Sequence, residues 1–522
     1  MWKCPVCDRE NTAATVCPTC GYDRTCDYER YPTAFTVKRA TPTRTLRRQW
    51  QAKQNPPTNP QPRPAEAKPR PTAPPVAAPA PTPAAAPAPA AVPTKKKSGL
   101  WAVFAVAAVI AIVIAVVNQA KSTNSEPVNN EPVNSNNPVV EYMVNDYSGN
   151  YVCISLDSET ISTQTVEDTQ NLLKEHSCTK LRISGGTVNA ASMEQISKLT
   201  GVETIVFYLC TKVSGFDRLS GMPSLLSIDL EGSSESESEL DLTGIEKIAT
   251  LESLYIYRFE SVDLMELRNA TQLKSLWVED SNNITNLNGL AGLTNLTQLD
   301  LISDRISDLR PLSALTNLKA LALSWNSITS LTGLEGLTNL TDLILDGNQV
   351  SDLQPLTNLR HLTDLYINGN RITSLTGLEG LTNLTRLSLD GNQISDLQPI
   401  SNLTNLEKLS FQENQISDLQ PISNLTNLTL LNIRWNNITS LSGLENLTNL
   451  TRLTLSGNNI TTLSGLENLT SLTYLNVCDN QITTLAGLEN LTNLTDIYAS
   501  GNPLTDTSAL EVSGCMDALH MD

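Results

Sequence analysis

Histidine occurs only three times in the 522 residues, at His176, His361 and His520, far apart and in no shared motif. That leaves no frame for a His-based triad or a His-ligated hydrolytic metal. Nor does any nucleophile sit at a useful spacing from a base, and no carboxylate pair has catalytic spacing, so an enzyme is not expected. Charge, proline and amide side chains are all missing from Gly99 to Val117, GLWAVFAVAAVIAIVIAVV. Proline is scarce elsewhere because 16 of its 28 copies fall between Pro42 and Pro93. A tract of that kind behaves as a solvated polymer and excludes a packed core there.

Charge is divided as sharply. Residues 1 to 97 hold 16 Lys+Arg against 6 Asp+Glu, a net of +10; the whole chain is −18, so residues 98 to 522 carry −28. The basic front and acidic rear meet at the apolar stretch. Nineteen residues of helix span roughly 28 Å, the thickness of a hydrocarbon core. Lys95, Lys96 and Lys97 abut its N-terminal end, and this bias predicts a single-pass anchor with residues 1–98 cytoplasmic and 118–522 outside. Membrane lipid is thus an expected partner through residues 99–117.

Near the start, Cys4-Pro-Val-Cys7 and Cys17-Pro-Thr-Cys20 form a C-x2-C-x9-C-x2-C array. Two such turns aim four thiolates at one tetrahedral centre, the donor set of a structural Zn2+. A redox pair or unligated thiols are the alternatives, and no βαβ pattern surrounds the array to support the former. The CPxC…CPxCG form resembles the small zinc ribbons at the N-terminus of many bacterial membrane proteins. The bases that follow (Lys38, Arg39, Arg44, Arg47, Arg48) suit anionic lipid better than nucleic acid. Pro71 to Thr94 reads as a stiff spacer.

Beyond a polar linker, asparagine recurs every 22 residues from Asn326 through Asn348, Asn370, Asn392, Asn414, Asn436, Asn458 and Asn480 to Asn502. Around each lies L-x-x-L-x-L-x-x-N-x-I, as in Leu318, Leu321, Leu323, Asn326 and Ile328. One such unit cannot bury its leucines alone; stacked units bury a continuous column and pair their strands in parallel. The buried asparagine must then satisfy backbone groups of its loop. The motif is identified as the leucine-rich repeat, and its 22-residue form resembles the internalin-type bacterial subclass. Looser L-x-L steps at Leu254-Ile256, Ile228-Leu230, Ile205-Phe207 and Leu181-Ile183 extend the array to about fifteen strands. Asp304 replaces the ladder asparagine, and the step from Val278 to Asn282 carries one extra residue. The fold class is α/β, a parallel-sheet leucine-rich-repeat solenoid with a small zinc ribbon and one transmembrane helix. The expected divisions are a ribbon at 1–30, a linker at 31–98, the anchor at 99–117, a second linker at 118–145, an N-terminal cap at 146–200, repeats at 201–506 and a tail at 507–522.

Five cysteines lie beyond the anchor. Cys210 falls at the ladder position and is expected buried and free, whereas Cys153 and Cys178, 25 residues apart, are about one coil apart and are expected to close a disulfide in the cap. Cys478 and Cys515 have no assigned pairing.

The residues between the frame leucines point outward on the concave sheet. One column reads Asp300, Ala322, Ile344, Tyr366, Ser388, Ser410, Asn432, Thr454, Asn476 and Tyr498; its neighbour runs from Gln298 through Asp364, Arg386, Lys408, Arg452 and Tyr474 to Asp496. These columns vary while the leucines do not. Trp325, Tyr366, Arg386, Trp435, Arg452, Tyr474 and Tyr498 are the candidate anchors for a ligand. The recurring Asp308, Asp352, Asp396 and Asp418 are expected to cap short turns, and Asn-Leu-Thr units such as Asn339 and Asn449 to serve turn chemistry. The internalin resemblance implies that the array binds an extracellular or envelope protein. The chain differs from that family in having no LPxTG-like sorting signal before its ALHMD end, so attachment through the helix replaces it. The alternative is a transmembrane sensor or scaffold whose ribbon recruits a cytoplasmic protein.

Overall fold

A computed structural model describes residues 2–3, 10–11, 138–143, 150–156, 161–233, 238–259, 261–281 and 284–521. The four candidate zinc ligands, the 31–98 linker and the apolar segment 99–117 lie outside the described residues. Among the described residues no helix is long and apolar enough to cross a membrane. Near the N-terminus, β1 (Trp2–Lys3) and β2 (Glu10–Asn11) pair antiparallel.

The remaining described residues build the solenoid. It opens with β3 (Val139–Met143), antiparallel to β4 (Tyr151–Ser155). From β4 onward every pairing in the main sheet is parallel, ending at Leu519–His520. The sheet has eighteen strands, about 80 Å at the usual strand spacing, and no register joins β3 to Leu519–His520. Helix α1 (Thr163–Glu175) starts at Ser162, whose hydroxyl accepts the Thr165 N–H, and buries Val166, Thr169 and Leu173. Helix α1 packs against β3 and β4 at the start of the array, α2 (Ala190–Ile196) lies between α1 and the next coil, and α3 (Ser508–Ser513) follows the last regular coil.

Coil length changes along the array. The in-register residues Val152, Leu181, Ile205, Ile228, Leu254, Leu276, Leu299 and Leu321 are 29, 24, 23, 26, 22, 23 and 22 residues apart; from Leu321 to Leu519 every step is 22. In the regular coils each frame residue is fully buried: Leu384, Leu387, Leu389, Ile394, Leu397, Ile400 and Leu403 form one turn of the core. Each contributes roughly 1.5–3 kcal/mol of apolar burial.

Asparagine locks the coils together. Asn392 Nδ2 donates to the carbonyls of Leu389 in its own coil (3.0 Å) and Ile367 in the preceding one (2.9 Å). Its Oδ1 accepts the Ile372 N–H at 3.0 Å. The same set recurs at Asn326, Asn348, Asn414, Asn436, Asn458, Asn480 and Asn502. On the outer side the aspartates of the SDL units cap the turns as expected: Asp308, Asp352, Asp396 and Asp418 each accept the backbone N–H two residues on. Asn339, Asn383, Asn427, Asn449 and Asn493 each donate to a carbonyl of the preceding coil. Elsewhere the turn needs glycine: Gly377 sits at φ +107°, and a Cβ there would meet the Leu353 carbonyl oxygen at 2.5 Å.

The ladder changes chemistry toward the N-terminus. Cys210 is fully buried and free, its thiol directed at the Ile183, Gly185 and Tyr208 carbonyls, and burial pushes its pKa up to about 12. Phe259 and Ser281 occupy equivalent positions, both fully buried. The extra residue expected after Val278 lies between Ser281 and Ile284, where the regular coils have one residue and this one has two; residues 282–283 lie outside the described set. Asp304 is buried and, when ionised, has no hydrogen to donate as the asparagine amide does. Burial pushes its pKa up to about 7, partly offset by the Ile284 N–H.

The cap disulfide expected from spacing is not formed: Cys153 and Cys178 are both free. The first coil is 29 residues long, not 25, so Cys153 stands opposite Arg182. Cys178 lies four residues before Arg182, about 13 Å along the strand, and its thiol donates to the Asn150 carbonyl at 3.1 Å.

Two outcomes follow from the ladder. Asn392→Ala leaves several buried backbone groups unpaired and is expected to cost on the order of 3 kcal/mol, read as a lower urea midpoint. At Asp304 the folded pKa stands above the ordinary 3.8, so between pH 4 and 7 the native chain holds a proton that the unfolded chain has released. Its contribution therefore falls as pH rises through that window and is flat above it. Asp304→Asn is expected to raise stability by roughly 1–3 kcal/mol at pH 8 and to change little at pH 5; equal gains at both pH values would refute the assignment.

Candidate ligand-binding face

The strand registers place the two concave columns as the spacing predicted: Asp300, Ala322, Ile344, Tyr366 and Ser388 are cross-strand neighbours, as are Asp342, Asp364, Arg386 and Lys408. The seven candidate anchors do not form one site. At the C-terminal end, the Arg452 guanidinium lies 4.0 Å over the Tyr474 ring, Tyr474 packs on Tyr498 at 5.4 Å, and Tyr498 stacks on His520 at 4.7 Å. His520 extends this cluster through the last strand, a position after the recognisable repeats.

In mid-sheet, Tyr366 is buried with Ile344 and Ala322 in a small apolar island flanked by Ile302 and Ala320. Arg386 is committed to Asp364 at 2.7 Å, in the neighbouring column. Trp325 and Trp435 lie off the sheet, at φ +60° and +56° in the turn just after the strand. Each ring covers the glycine of the next coil: a Cβ on Gly347 or Gly457 would meet the indole at 2.5 Å. Both remain over a third exposed, and their packing is that of turn covers.

The densest chemistry lies where the column reading did not reach. Before Asp300 the first column continues as Val206, Asp229, Tyr255 and Trp277, and a second as Tyr208, Glu231, Tyr257 and Glu279. Tyr255 and Trp277 stack at 4.0 Å with an interplanar angle of 6°. The Arg182 guanidinium lies 3.5 Å over the Tyr208 ring, and Arg258 lies 4.4 Å over Tyr257 and 3.8 Å from Glu231. Burial pushes Glu231 up to about 7, with Arg258 and Arg182 opposing. Burial, reinforced by Asp280, does the same to Glu279. Asp300 is almost wholly buried, and burial holds its pKa well above the carboxylate range against the opposing Trp277 indole and Ala322 N–H. These residues were detectable: the Ile205-Phe207, Ile228-Leu230 and Leu254-Ile256 steps each bracket one of them.

A groove of about 840 Å³ runs along the opposite edge of the strands, lined by Lys319, Thr341, His361, Asn383 and Glu407 among others. Its amides and hydroxyls are spent on the coil itself, as in Asn383 to the Arg360 carbonyl and Thr341 to that of Lys319. Among the described residues no cluster of His, Cys, Asp and Glu has metal-holding geometry.

A family model of leucine-rich repeats, in two copies, matches residues 360–402, 404–446, 426–468, 448–490 and 470–512. No curated protein matches the chain. Among solved structures it is similar to internalin InlF of Listeria monocytogenes, at 31% identity over 64% of this chain and 94% of that one, with a TM-score of 0.55. A leucine-rich-repeat protein of Leptospira interrogans shares the fold at 23% identity, covering 70% and 93%, with a TM-score of 0.61. The functional domain of InlJ of Listeria monocytogenes, which includes a cysteine ladder, shares it at 21%, covering 69% and 72%, with a TM-score of 0.51. Leucine-rich-repeat proteins are generally non-enzymatic binding scaffolds. With an internalin matched over nearly its full length at 31% identity, this chain belongs to the leucine-rich-repeat family and has internalin-like structural neighbours.

Proposed function

We propose that the chain is a membrane-anchored surface protein whose outward solenoid binds a protein ligand on its concave face. The observation that carries this reading is the contrast between frame and face. From Leu321 to Leu475 every coil repeats the same buried apolar frame, mostly leucine, and the asparagine, while the in-register concave residues change from apolar to acidic, basic and aromatic. A rigid frame with a freely varied face is what selective protein recognition needs, because only side chains that meet the partner have to differ. Leucine-rich-repeat domains typically mediate protein–protein binding, which supports the same conclusion.

The uncharged stretch 99–117 and the three lysines before it support an anchor with the N-terminus in the cytoplasm. Four thiolates at Cys4, Cys7, Cys17 and Cys20 suit one structural Zn2+. Purified chain is expected to carry one zinc per molecule and to lose it in Cys4→Ser; zinc-free wild-type protein would remove this assignment.

The test of the main reading is topological and functional together. Protease added to intact cells is expected to remove the solenoid and spare the N-terminal segment. Protein captured by the full chain from envelope or surface extracts is expected to be lost on combining Arg452→Ala with Tyr474→Ala or Trp277→Ala with Tyr255→Ala. A solenoid protected in intact cells, or captured protein indifferent to both double variants, would overturn it.

A further inference from the structure

Residues 320–522 hold 20 Asp+Glu against six Lys+Arg, a net of −14. Two of the six, Arg360 and Arg371, are exposed between strands. The other four, Arg386, Lys408, Arg434 and Arg452, fall on the concave side of four successive coils. Arg386 and Lys408 are cross-strand neighbours. Leu430 stands in register between Lys408 and Arg452, which are two strand spacings, about 10 Å, apart. The column beside them is uncharged at Ser388, Ser410, Asn432 and Thr454. Beyond that column, Arg434 is held by its Nε, which donates to the Ser456 hydroxyl at 2.9 Å.

The nearby carboxyls do not cancel this patch. Asp364 meets Arg386 at 2.7 Å. Asp390 is only 3% exposed, and its Oδ1 accepts the Ser410 hydroxyl and the Gln412 N–H. Glu413 lies in the turn after the strand, where the Gln412 amide donates to it at 3.2 Å. Glu407 lines the groove on the opposite edge, and Asp496, two strands past Arg452, lies 3.8 Å from His520. Lys408 is exposed and in no salt bridge among the described residues. An acidic chain is therefore repelled by most of the solenoid and attracted here, a contrast that decides where a partner lands. Charge alone would suit any polyanion. Leu430, between two cations, adds an apolar requirement that a peptide meets, because alternate residues of an extended segment face the same way at about 6.7 Å intervals.

We propose that the concave face from Arg386 to Arg452 binds an extended acidic segment of the partner protein, with two carboxylates on Lys408 and Arg452 and an apolar side chain between them on Leu430. The carboxylates then belong to residues i and i+4 and the apolar side chain to i+2, all on one face of the segment. Their span of about 13 Å exceeds that of the two cations by a few Å, which the long lysine, arginine and glutamate side chains close. The inference rests on the protein-binding reading given above and adds the charge of the partner and the coils that hold it.

The experiment uses the full chain in a neutral detergent and a fluorescein-labelled, end-blocked peptide, Ser-Glu-Ser-Leu-Ser-Glu-Ser, followed by fluorescence polarisation at low salt. Glutamine in place of both glutamates is expected to weaken binding at least tenfold, and lysine to abolish it. Serine in place of the leucine is expected to weaken it at least threefold; no change would mean that any polyanion, a glycan included, serves as well, and would overturn the assignment to a protein segment. Lys408→Gln combined with Arg452→Gln is expected to weaken binding at least tenfold with little change in melting temperature, which separates a lost contact from a lost fold. Arg360→Gln combined with Arg371→Gln makes the same change in net charge away from the concave face and is expected to leave the affinity as it was. Unchanged affinity in the first pair, or an equal loss in the second, would overturn the proposal. If the peptide fails these tests while extract protein is still captured and is lost with the Trp277→Ala and Tyr255→Ala pair, the inference falls and the protein-binding reading stands. If no variant affects capture, that reading falls as well.

Discussion

The structure depends on the buried asparagine amide that ties each coil to the one before it. A leucine column by itself is slippery: apolar side chains fix neither the register nor the rise between coils, because dispersion and burial have little directional preference. The amide supplies direction. Its oxygen takes a backbone N–H that the loop would otherwise bury unpaired, and its nitrogen spans carbonyls of two successive coils. The amide both donates and accepts in that geometry, and from Leu321 onward a strict 22-residue step brings each one to the same place. The parallel sheet on the inner side is the consequence, and the concave columns inherit their alignment from it.

That dependence also explains where the array departs from regularity. Cysteine, phenylalanine, serine and aspartate take the ladder position in the first coils, and each solves part of the problem. The Cys210 thiol points at carbonyls but accepts nothing; Phe259 fills space without pairing; Asp304 accepts without donating unless protonated. Coil lengths between 22 and 29 residues accompany these substitutions. The longer coils all fall in this part of the array, although those carrying Phe259 and Asp304 keep the 22-residue length.

The same physics decides what was legible in the sequence. From Asn326 onward the period alone located strands, core, turn caps and both concave columns, because one repeated amide pins all of them at once. Upstream, the L-x-L steps still marked the strands, but without a common period the column residues between them were passed over. Tyr255, Trp277 and Glu279 were thus missed although they carry the richest chemistry on the face. The cap cysteines failed for the related reason that a 25-residue spacing was measured against a coil that is in fact 29. Trp325 and Trp435 misled in another way. Aromatic exposure drew attention to them, whereas their backbone lies in the left-handed region and their rings serve the glycine of the next coil. Exposure alone does not distinguish a recognition anchor from a cover.

Irregular ladder and dense face coincide in the same coils, and that coincidence has a physical basis. Unpaired or crowded carboxylates such as Glu231, Glu279 and Asp300 are costly to the folded chain, and the substituted ladder provides less stabilisation there to offset them. A segment placed under both penalties would be expected to lose its charges if they served the fold. The regular C-terminal coils show that a neutral face is readily built, with Ser388, Ser410, Asn432 and Thr454 in the same column. Under the protein-binding reading proposed above, carboxyl groups placed at that cost belong to the face that meets the partner, where binding offsets what the free solenoid gives up.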